Sequence, residues 1–321
     1  MNETAVTTRQ PGSGLGGQRV MARNRAMGPV GHLADERARL DAMQWRNFTV
    51  RRMGATIGAE LHGVNLGEAL ADEVIEEIRH ALHAFKVVFF RDQPLTSEQH
   101  VAFARRFGDL EIHPFIPGNS TVPELVRFEK SAETGGYENT WHHDVTWREC
   151  PSMGAILRAV HVPAAGGDTL FSDMYAAYDG LDDDTKALVD GLDATNDFLR
   201  AFGGALDEGQ RQEMRERYPV VTHPIVARHP ATGRKHLYVN GIFTTGVVGP
   251  DGPWEAERSE ALLQQLFAQA EVVEYQCRFH WEPDSIAFWD NRAVQHYAAS
   301  DYWPQVRIME RASIVGSRPS R

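Results

Sequence analysis

Apolar side chains recur along residues 48–316 at the two spacings that distinguish β-strands from amphipathic helices. Residues 71–85 repeat them every three or four positions, which predicts a helix with one buried face. The continuous apolar run at 86–90 predicts a buried strand, and the Thr-Ser-Glu-Gln stretch at 96–99 has the form of a capping box that begins a second helix. Shorter patterns predict strands at 48–50, 55–61, 154–160, 225–228, 236–239, 277–281, 285–289 and 306–315, a strand that begins at Thr169, and helices at 173–180, 183–191 and 258–270.

The region before this pattern has a different composition. Residues 1–31 contain six glycines, four arginines and one acidic residue, and they show no hydrophobic periodicity. We therefore predict a disordered extension over residues 1–46, followed by a single domain over residues 47–317 in which no internal repeat is visible. Within that domain, the charged helical stretch at 196–218 is interrupted at Gly203-Gly204 and is typical of an insertion.

The overall charge restricts the partners of the chain. A net charge of −11 and a pI near 5.7 give no electrostatic attraction to nucleic acid or to an anionic membrane, so we expect neither as a partner. The two cysteines are typical of a reducing compartment, and no apolar run reaches the roughly 18 residues that a membrane span needs. We expect a cytoplasmic protein that forms a homo-oligomer, either a dimer or a tetramer.

The strongest chemical signal is His142-x-Asp144. In an extended strand these two side chains point to the same face, whereas on a helix they would diverge by about 200°. Together with a distant second histidine they would form the two-histidine-one-carboxylate arrangement that holds non-haem Fe(II) on one side and leaves the other side open. His143 would point to the opposite face. Because so short a motif also arises by chance, a purely structural His and Asp pair is the alternative.

Other motifs follow in order along the chain. The stretches are Trp141-His142-His143-Asp144-Val145-Thr146, Gly166-Gly167-Asp168-Thr169-Leu170, and Trp289-Asp290-Asn291-Arg292 followed by His296, Arg307 and Arg311. Together they resemble the taurine dioxygenase family over about residues 48–316. The resemblance implies an α+β, mainly β fold: a double-stranded β-helix (jelly-roll) barrel with flanking helices and a helical insertion. It also implies Fe(II), 2-oxoglutarate as co-substrate, and O₂.

The resemblance assigns roles to individual positions. It implies metal ligation by His142, Asp144 and His296, and binding of 2-oxoglutarate by Thr169 and Arg307. For the primary substrate it implies contacts from His113, Val145, Phe202, Phe243 and Arg311, with His113 and Arg311 on the anionic group and the two phenylalanines as aromatic walls.

The spacing of the two arginines is compatible with an anion site. Positions 307 and 311 share one face of a strand, and if that face lines the interior of the barrel, two desolvated guanidinium groups would each need an anion. A surface strand with two solvated arginines is the alternative. Where taurine enzymes carry a tyrosine that helps to hold the substrate amine, this chain has Ile116; where they carry an asparagine, it has Glu138, which could still pair with a cation. Because Ile116 removes one polar partner and adds apolar surface, we expect a small anionic organic substrate with a larger and less polar tail than that of taurine.

The predicted reaction is hydroxylation of a sulfonate, an alkyl sulfate or a similar anion, with release of succinate and CO₂. The same chemistry on an aryloxy or amino carboxylate, in catabolism or natural-product biosynthesis, is the first alternative. A zinc hydrolase also uses two histidines and an aspartate, but it needs a general base near the metal-bound water, and the sequence contains no H-E-x-x-H motif. A non-catalytic binding barrel is a third alternative, whose sign would be the loss of a ligand or of Arg307.

Overall fold

The computed structural model describes residues 30–113, 118–119, 121–134 and 139–321. The α-helices in these residues are α1 (Ala34–Asp41), α2 (Asp72–Phe85), α3 (Ser97–Ala104), α4 (Met174–Asp179), α5 (Asp183–Val189), α6 (Phe198–Phe202), α7 (Glu208–Arg217) and α8 (Ala256–Phe267). The strands are β1 (Thr49–Arg52), β2 (Ala59–His62), β3 (Val87–Phe90), β4 (Leu125–Lys130), β5 (Gly154–His161), β6 (Thr169–Asp173), β7 (Asp193–Asn196), β8 (Val221–Pro224), β9 (Val226–Arg228), β10 (Lys235–Leu237), β11 (Thr244–Gly249), β12 (Gly252–Pro253), β13 (Gln276–Phe279), β14 (Ile286–Asp290), β15 (Val294–Ala298) and β16 (Arg307–Ile314).

These strands form four sheets. The largest has seven strands in the order β1-β2-β3-β14-β5-β16-β4, and its neighbours are antiparallel except for the parallel pair β2 and β3. A three-stranded sheet has the order β13-β6-β15, a four-stranded sheet has the order β12-β11-β7-β8, and β9 pairs with β10. The chain is therefore a mixed α and β protein whose sheets are mostly antiparallel.

An apolar core lies between the seven-stranded and three-stranded sheets. Phe89 on β3 stacks on Phe279 of β13 with ring centroids 4.1 Å apart, and its edge meets Phe171 of β6 at 5.6 Å. Leu157 and Trp289 from the seven-stranded sheet belong to the same cluster. Since these rings from the two sheets are in direct contact, the sheets pack face to face across this cluster.

Helices α2 and α3 contribute to a second cluster, together with other side chains of the seven-stranded sheet. The capping box predicted at 96–99 is present: the side chain of Thr96 accepts from the backbone N–H of Gln99, and the Gln99 side chain accepts from the N–H of Thr96. Helix α2 ends where Lys86 adopts a φ of 66°. Local sequence signals thus set the ends of both helices.

The predicted insertion forms two helices. Helices α6 and α7 flank a 3₁₀ turn at Gly203–Ala205, where the sequence predicted the interruption. The side chain of Asp197 accepts from the N–H of Leu199 and caps α6, and Asp207 caps α7 with a capping box. Phe198 of α6 packs against Trp147 with ring centroids 5.0 Å apart, so the insertion contacts the residue that directly follows the motif stretch.

The predicted boundary of the disordered extension is wrong for residues 30–46. Helix α1 lies within this range, and Leu33 and Leu40 are buried against the rest of the protein. Glu36 on α1 forms an ion pair with the buried Lys86 at 2.8 Å. Residues 1–29 lie outside the described residues. Within the part that the structure describes, no helix has the length and hydropathy needed to cross a bilayer.

Candidate active site

A cavity of about 770 Å³ lies between the seven-stranded sheet, the three-stranded sheet and helix α6. Its walls include Arg311 from β16, His296 from β15 and Phe202 from α6. The ten residues that the sequence assigned to metal, co-substrate or substrate all line it: His113, His142, Asp144, Val145, Thr169, Phe202, Phe243, His296, Arg307 and Arg311. The structure therefore brings the whole predicted set to one place.

His142, Asp144 and His296 form a compact group in this cavity. One potential ligand atom from each lies within 4.8 Å of the other two, and all three residues are buried. The histidines are neighbours because the backbone of His142 pairs with that of His296 through two hydrogen bonds of 3.1 and 2.9 Å. Their rings lie 4.2 Å apart between centroids. Two imidazoles and one carboxylate are a donor set that suits Fe(II).

The local structure of the motif differs from the predicted strand. Within the motif stretch, His142 alone makes a strand-like bridge. A turn begins at Asp144, and the next residue, Val145, has a φ of 50°. Asn291 holds this turn: its Oδ1 accepts from the N–H of Asp144 at 2.7 Å, and its Nδ2 donates to the Asp144 carbonyl at 3.0 Å. The Asp144 side chain therefore reaches the cavity through a turn fixed by a distant asparagine, not through strand alternation.

Hydrogen bonding and burial prepare the two imidazoles for a metal. Nδ1 of His142 lies 2.8 Å from the carbonyl of Thr140 and donates to it, so the lone pair of this imidazole is on Nε2, which lies 3.8 Å from Oδ1 of Asp144. Burial and the neighbouring His142 ring lower the pKa of His296 to about 3. His296 is therefore neutral at pH 7, the form that can ligate a metal.

Asp144 is paired with Arg311. Nη1 of Arg311 lies 3.1 Å from both carboxylate oxygens. Burial alone raises the pKa of Asp144, but the guanidinium of Arg311 and the two imidazoles outweigh it and hold that pKa well below its usual range. The carboxylate is therefore ionised at neutral pH.

Thr169 and Arg307 lie on facing sheets. Both are buried, and Arg307 has its guanidinium carbon 5.9 Å from the ring centroid of Trp281. Gly167 allows Arg307 this position: its φ is 72°, and a Cβ atom there would lie 3.3 Å from Cδ and Nε of the arginine. The Gly-Gly turn predicted at 166–167 therefore also makes room for a cavity residue.

The positions assigned to the primary substrate surround the metal group. Burial and the guanidinium of Arg311 lower the pKa of His113 to about 4. Phe243 is buried and Phe202 is 44% exposed, with ring centroids 6.1 Å apart, so they form an aromatic wall at the cavity mouth. Val145, at the turn, completes this side. Ile116 and Glu138 lie outside the described residues.

Sequence reasoning missed several residues of the site. Lys130 and Arg200 also line the cavity, so its described lining carries four lysine or arginine side chains and a single carboxylate, Asp144. Asn291 and Trp281 do not line the described cavity but form hydrogen bonds to residues that do, Asp144 and Thr169. Asn291 belongs to the Trp-Asp-Asn-Arg motif that was recognised without a role, whereas no local pattern singles out Lys130, Arg200 or Trp281.

A second group, His83, His229 and Asp290, also places potential ligand atoms within 4.8 Å of one another. Asp290, however, accepts from Nε2 of His229 at 2.8 Å and from Nε and Nη2 of Arg292 at 2.8 and 2.7 Å. Nδ1 of His229 accepts from two backbone N–H groups of the following turn. A cation at this position would have to break these buried, charge-balanced hydrogen bonds. The group therefore fits a structural role better than a metal site.

Comparison with known proteins gives a consistent result. The family described as taurine catabolism dioxygenase TauD, TfdA family matches residues 49–313. The chain is 32% identical to an alpha-ketoglutarate-dependent sulfate ester dioxygenase of Pseudomonas putida, over 84% of this chain and 90% of that protein. It is 34% identical to a (S)-phenoxypropionate/alpha-ketoglutarate-dioxygenase of Sphingobium herbicidovorans, over 85% of this chain and 96% of that protein.

A solved structure agrees with these relatives. The crystal structure of a taurine dioxygenase from Burkholderia xenovorans superimposes with a TM-score of 0.74 at 37% identity, and the match covers 85% of this chain and 91% of that chain. The chain therefore belongs to the TauD/TfdA family and is a 2-oxoglutarate-dependent non-haem iron dioxygenase that uses Fe(II), 2-oxoglutarate and O₂.

Proposed function

We propose that this dioxygenase oxidises a small organic anion with an apolar tail, either a sulfate ester or a sulfonate. The observation that carries the proposal is the layout of the cavity, where Arg311 and His113 lie beside the metal group and an aromatic wall of Phe202 and Phe243 lies toward the mouth. The sulfate ester specificity in the name of the Pseudomonas putida relative supports the same class.

His142, Asp144 and His296 would hold the iron. When bound, Fe(II) supplies the activation of O₂, coupled to decarboxylation of 2-oxoglutarate to succinate and CO₂, that hydroxylates the substrate. The imidazoles would bind through neutral nitrogens, and Asn291 would keep the Asp144 turn in place. The protein positions the reactants and excludes water.

Thr169 and Arg307 would bind a carboxylate of 2-oxoglutarate. A buried guanidinium binds a carboxylate through charged hydrogen bonds, and a hydroxyl group can donate one further hydrogen bond to the same carboxylate. Lys130 lies opposite Arg307 across the β4 and β16 pair and adds positive charge on the same side. In a chain with a net charge of −11, these cations make the cavity locally suited to two anionic ligands.

Arg311 and His113 would bind the headgroup of the primary substrate. The lowered pKa of His113 means that its imidazole is neutral before the anion arrives, so it would act as a hydrogen-bond donor. Val145, Phe202 and Phe243 would contact the tail. Hydroxylation of the carbon next to a sulfate ester would collapse to an aldehyde and sulfate, and hydroxylation next to a sulfonate would give an aldehyde and sulfite.

The sheets that surround the cavity would form a double-stranded β-helix. The opposed seven-stranded and three-stranded sheets, with the cavity between them, support this assignment. The cytoplasmic location and the dimeric or tetrameric state stay predictions.

An aryloxy carboxylate is the second candidate substrate. The aromatic wall would suit a phenyl ring, and the Sphingobium herbicidovorans relative is named for phenoxypropionate. The amino carboxylate alternative has no such support in the described cavity, whose single lining carboxylate is paired with Arg311.

Succinate release from a panel of anions tests the proposal. The panel contains linear alkyl sulfates of increasing length, the matching sulfonates, taurine and phenoxypropionate. Each methylene buried against the wall adds about 0.8 kcal/mol, so kcat/KM should rise about fourfold per carbon until the cavity is filled. Phe243→Ala should flatten this dependence, while Thr245→Ala, an exposed position on β11, should not. Taurine as the best substrate would contradict the proposal, and phenoxypropionate as the best would favour the second candidate.

A further inference from the structure

Trp281 lies behind the cavity, just after β13, and is 2% exposed. Its indole Nε1 donates a hydrogen bond to Oγ1 of Thr169 at 2.9 Å. Trp281 is not among the described residues that line the cavity, whereas Thr169 is. The bond therefore runs from a buried side chain outside the site to the hydroxyl group of a residue that lines it.

The direction of this hydrogen bond determines what Thr169 can do next. An indole N–H is only a donor, so the threonine oxygen must be the acceptor and its own hydrogen is left to be donated. The backbone of Thr169 is held in the middle of a sheet, opposite Phe279 on one side and Ala298 on the other. The hydroxyl is thus fixed in place with its donor directed away from the indole, which suits a carboxylate in the cavity.

The same ring also lies beside Arg307. The guanidinium carbon is 5.9 Å from the Trp281 ring centroid and 5.8 Å from that of Tyr302. At this distance an aromatic face attracts the cation and limits its conformations. One side chain thus contacts both groups to which the binding of 2-oxoglutarate is assigned above.

We propose that Trp281 is a positioning residue for 2-oxoglutarate. It orients the Thr169 hydroxyl as a donor toward a carboxylate of the co-substrate and keeps the Arg307 guanidinium in place beside it. The proposal rests on the roles proposed for Thr169 and Arg307. The competing explanation is that Thr169 only satisfies a buried indole N–H, in which case removal of that N–H would leave co-substrate binding unchanged.

The test measures the dissociation constant of 2-oxoglutarate by calorimetry on the full-length enzyme loaded with Mn(II), without turnover. Trp281→Phe removes the N–H and keeps an apolar ring, and we expect about fivefold weaker binding. Thr169→Val should weaken binding about tenfold, and Thr169→Ser should stay near wild type. Because Trp281 acts through the hydroxyl, Trp281→Phe should have little further effect in the Thr169→Val background.

Controls separate positioning from damage to the fold. Trp254→Phe is the matched control, because Trp254 packs in another cluster and does not line the described cavity. Mn(II) affinity and melting temperature should be close to wild type in all variants that are compared. The kcat of Trp281→Phe at saturating 2-oxoglutarate should also be retained, while the KM for 2-oxoglutarate rises.

Three results would overturn the inference. Wild-type affinity for 2-oxoglutarate in Trp281→Phe would show that the indole N–H has only a structural role. An undiminished effect of Trp281→Phe in the Thr169→Val background would show that the tryptophan does not act through the hydroxyl. Wild-type affinity in Thr169→Val would instead show that Thr169 does not bind 2-oxoglutarate, which would refute both its proposed function and the inference. Failure of the inference alone can therefore be distinguished from failure of the proposed function.

Discussion

Arg311 lies against the carboxylate of Asp144, with Nη1 3.1 Å from each of its two oxygens. Both side chains are buried, so this pair is little screened by solvent. The arginine assigned to the substrate headgroup therefore directly contacts a residue assigned to the metal. A headgroup bound to Arg311 would be held next to the iron, which is where hydroxylation of the adjacent carbon requires it.

The two cavity arginines should have separable effects. We expect Arg311→Gln to raise the KM of the primary substrate and Arg307→Gln to raise that of 2-oxoglutarate. Loss of a buried, charged hydrogen-bonding partner costs about 2–4 kcal/mol, which corresponds to roughly 30-fold to 1,000-fold. Steady-state kinetics with each reactant varied in turn checks this.

Metal binding provides the control for these variants. Arg311→Gln should bind Mn(II) at least as tightly as wild type, because it removes a cation that competes for Asp144. The reverse assignment, with Arg311→Gln acting on 2-oxoglutarate, would show that the two roles are exchanged.

The three proposed ligands should behave as one unit. His142→Ala, Asp144→Ala and His296→Ala should each lose Mn(II) binding and turnover, since two remaining ligands cannot hold the ion in a facial site. His143→Ala is the comparison: its ring is fully buried against Tyr238 at 4.7 Å, so the variant should melt earlier but still bind metal. Calorimetric titration with Mn(II) distinguishes the two outcomes. Tight metal binding by any of the three ligand variants would refute its assignment.

Local pattern predicted most elements but not the irregular parts of the site. Helix α2 and the capping box of α3 were predictable because their signals lie within a few residues. The turn at Asp144 was not, because the asparagine that fixes it is 147 positions away. Strand β15 was also missed, since buried Gln295 and His296 interrupt the apolar alternation that marks a strand.

Helix α1 was missed for a related reason. Its sequence is mostly charged, and its partner Lys86 lies 50 residues away in the chain. Lys86 is fully buried and also lies 3.2 Å from Asp173. Long-range pairs of this kind leave no periodic signal.

This helix should contribute to stability. Burial raises the pKa of Glu36, but Arg39 and Lys86 outweigh it and hold the pKa well below its usual range. Glu36→Gln should therefore destabilise the fold by about 2 kcal/mol, a loss of a few degrees in melting temperature. Asp35→Asn, an exposed position in the same turn, should be neutral. Equal melting temperatures for Glu36→Gln and Asp35→Asn would show that the ion pair contributes nothing.

Acid should destabilise the protein partly through His100. Burial, and secondarily the charge of Arg158, lower its pKa to about 4 from a usual value of 6.5. Between these two values the unfolded chain binds more protons, so the free energy of unfolding falls as the pH falls through this window. Through this one group, the free energy of unfolding should be about 2 kcal/mol lower at pH 5 than at neutral pH.

Urea unfolding at pH 7 and pH 5 measures this effect. His100→Gln keeps a donor for the carbonyl of Ile156, which His100 contacts at 3.1 Å. Between pH 7 and pH 5, the free energy of unfolding of this variant should fall by about 2 kcal/mol less than that of wild type. The same acid sensitivity in both proteins would contradict this role.

The cavity is proposed to couple the oxidation of an organic anion to the decarboxylation of 2-oxoglutarate, and the stoichiometry of the reaction distinguishes this chemistry from hydrolysis. O₂ consumption, succinate and inorganic sulfate should be measured together with hexyl sulfate as substrate, Fe(II) present, and Asp144→Ala as control. We expect equal amounts of O₂ consumed, succinate formed and sulfate released, with none of the three in the variant. Sulfate release without succinate, or without need for O₂, would show that the enzyme is a hydrolase and not a dioxygenase.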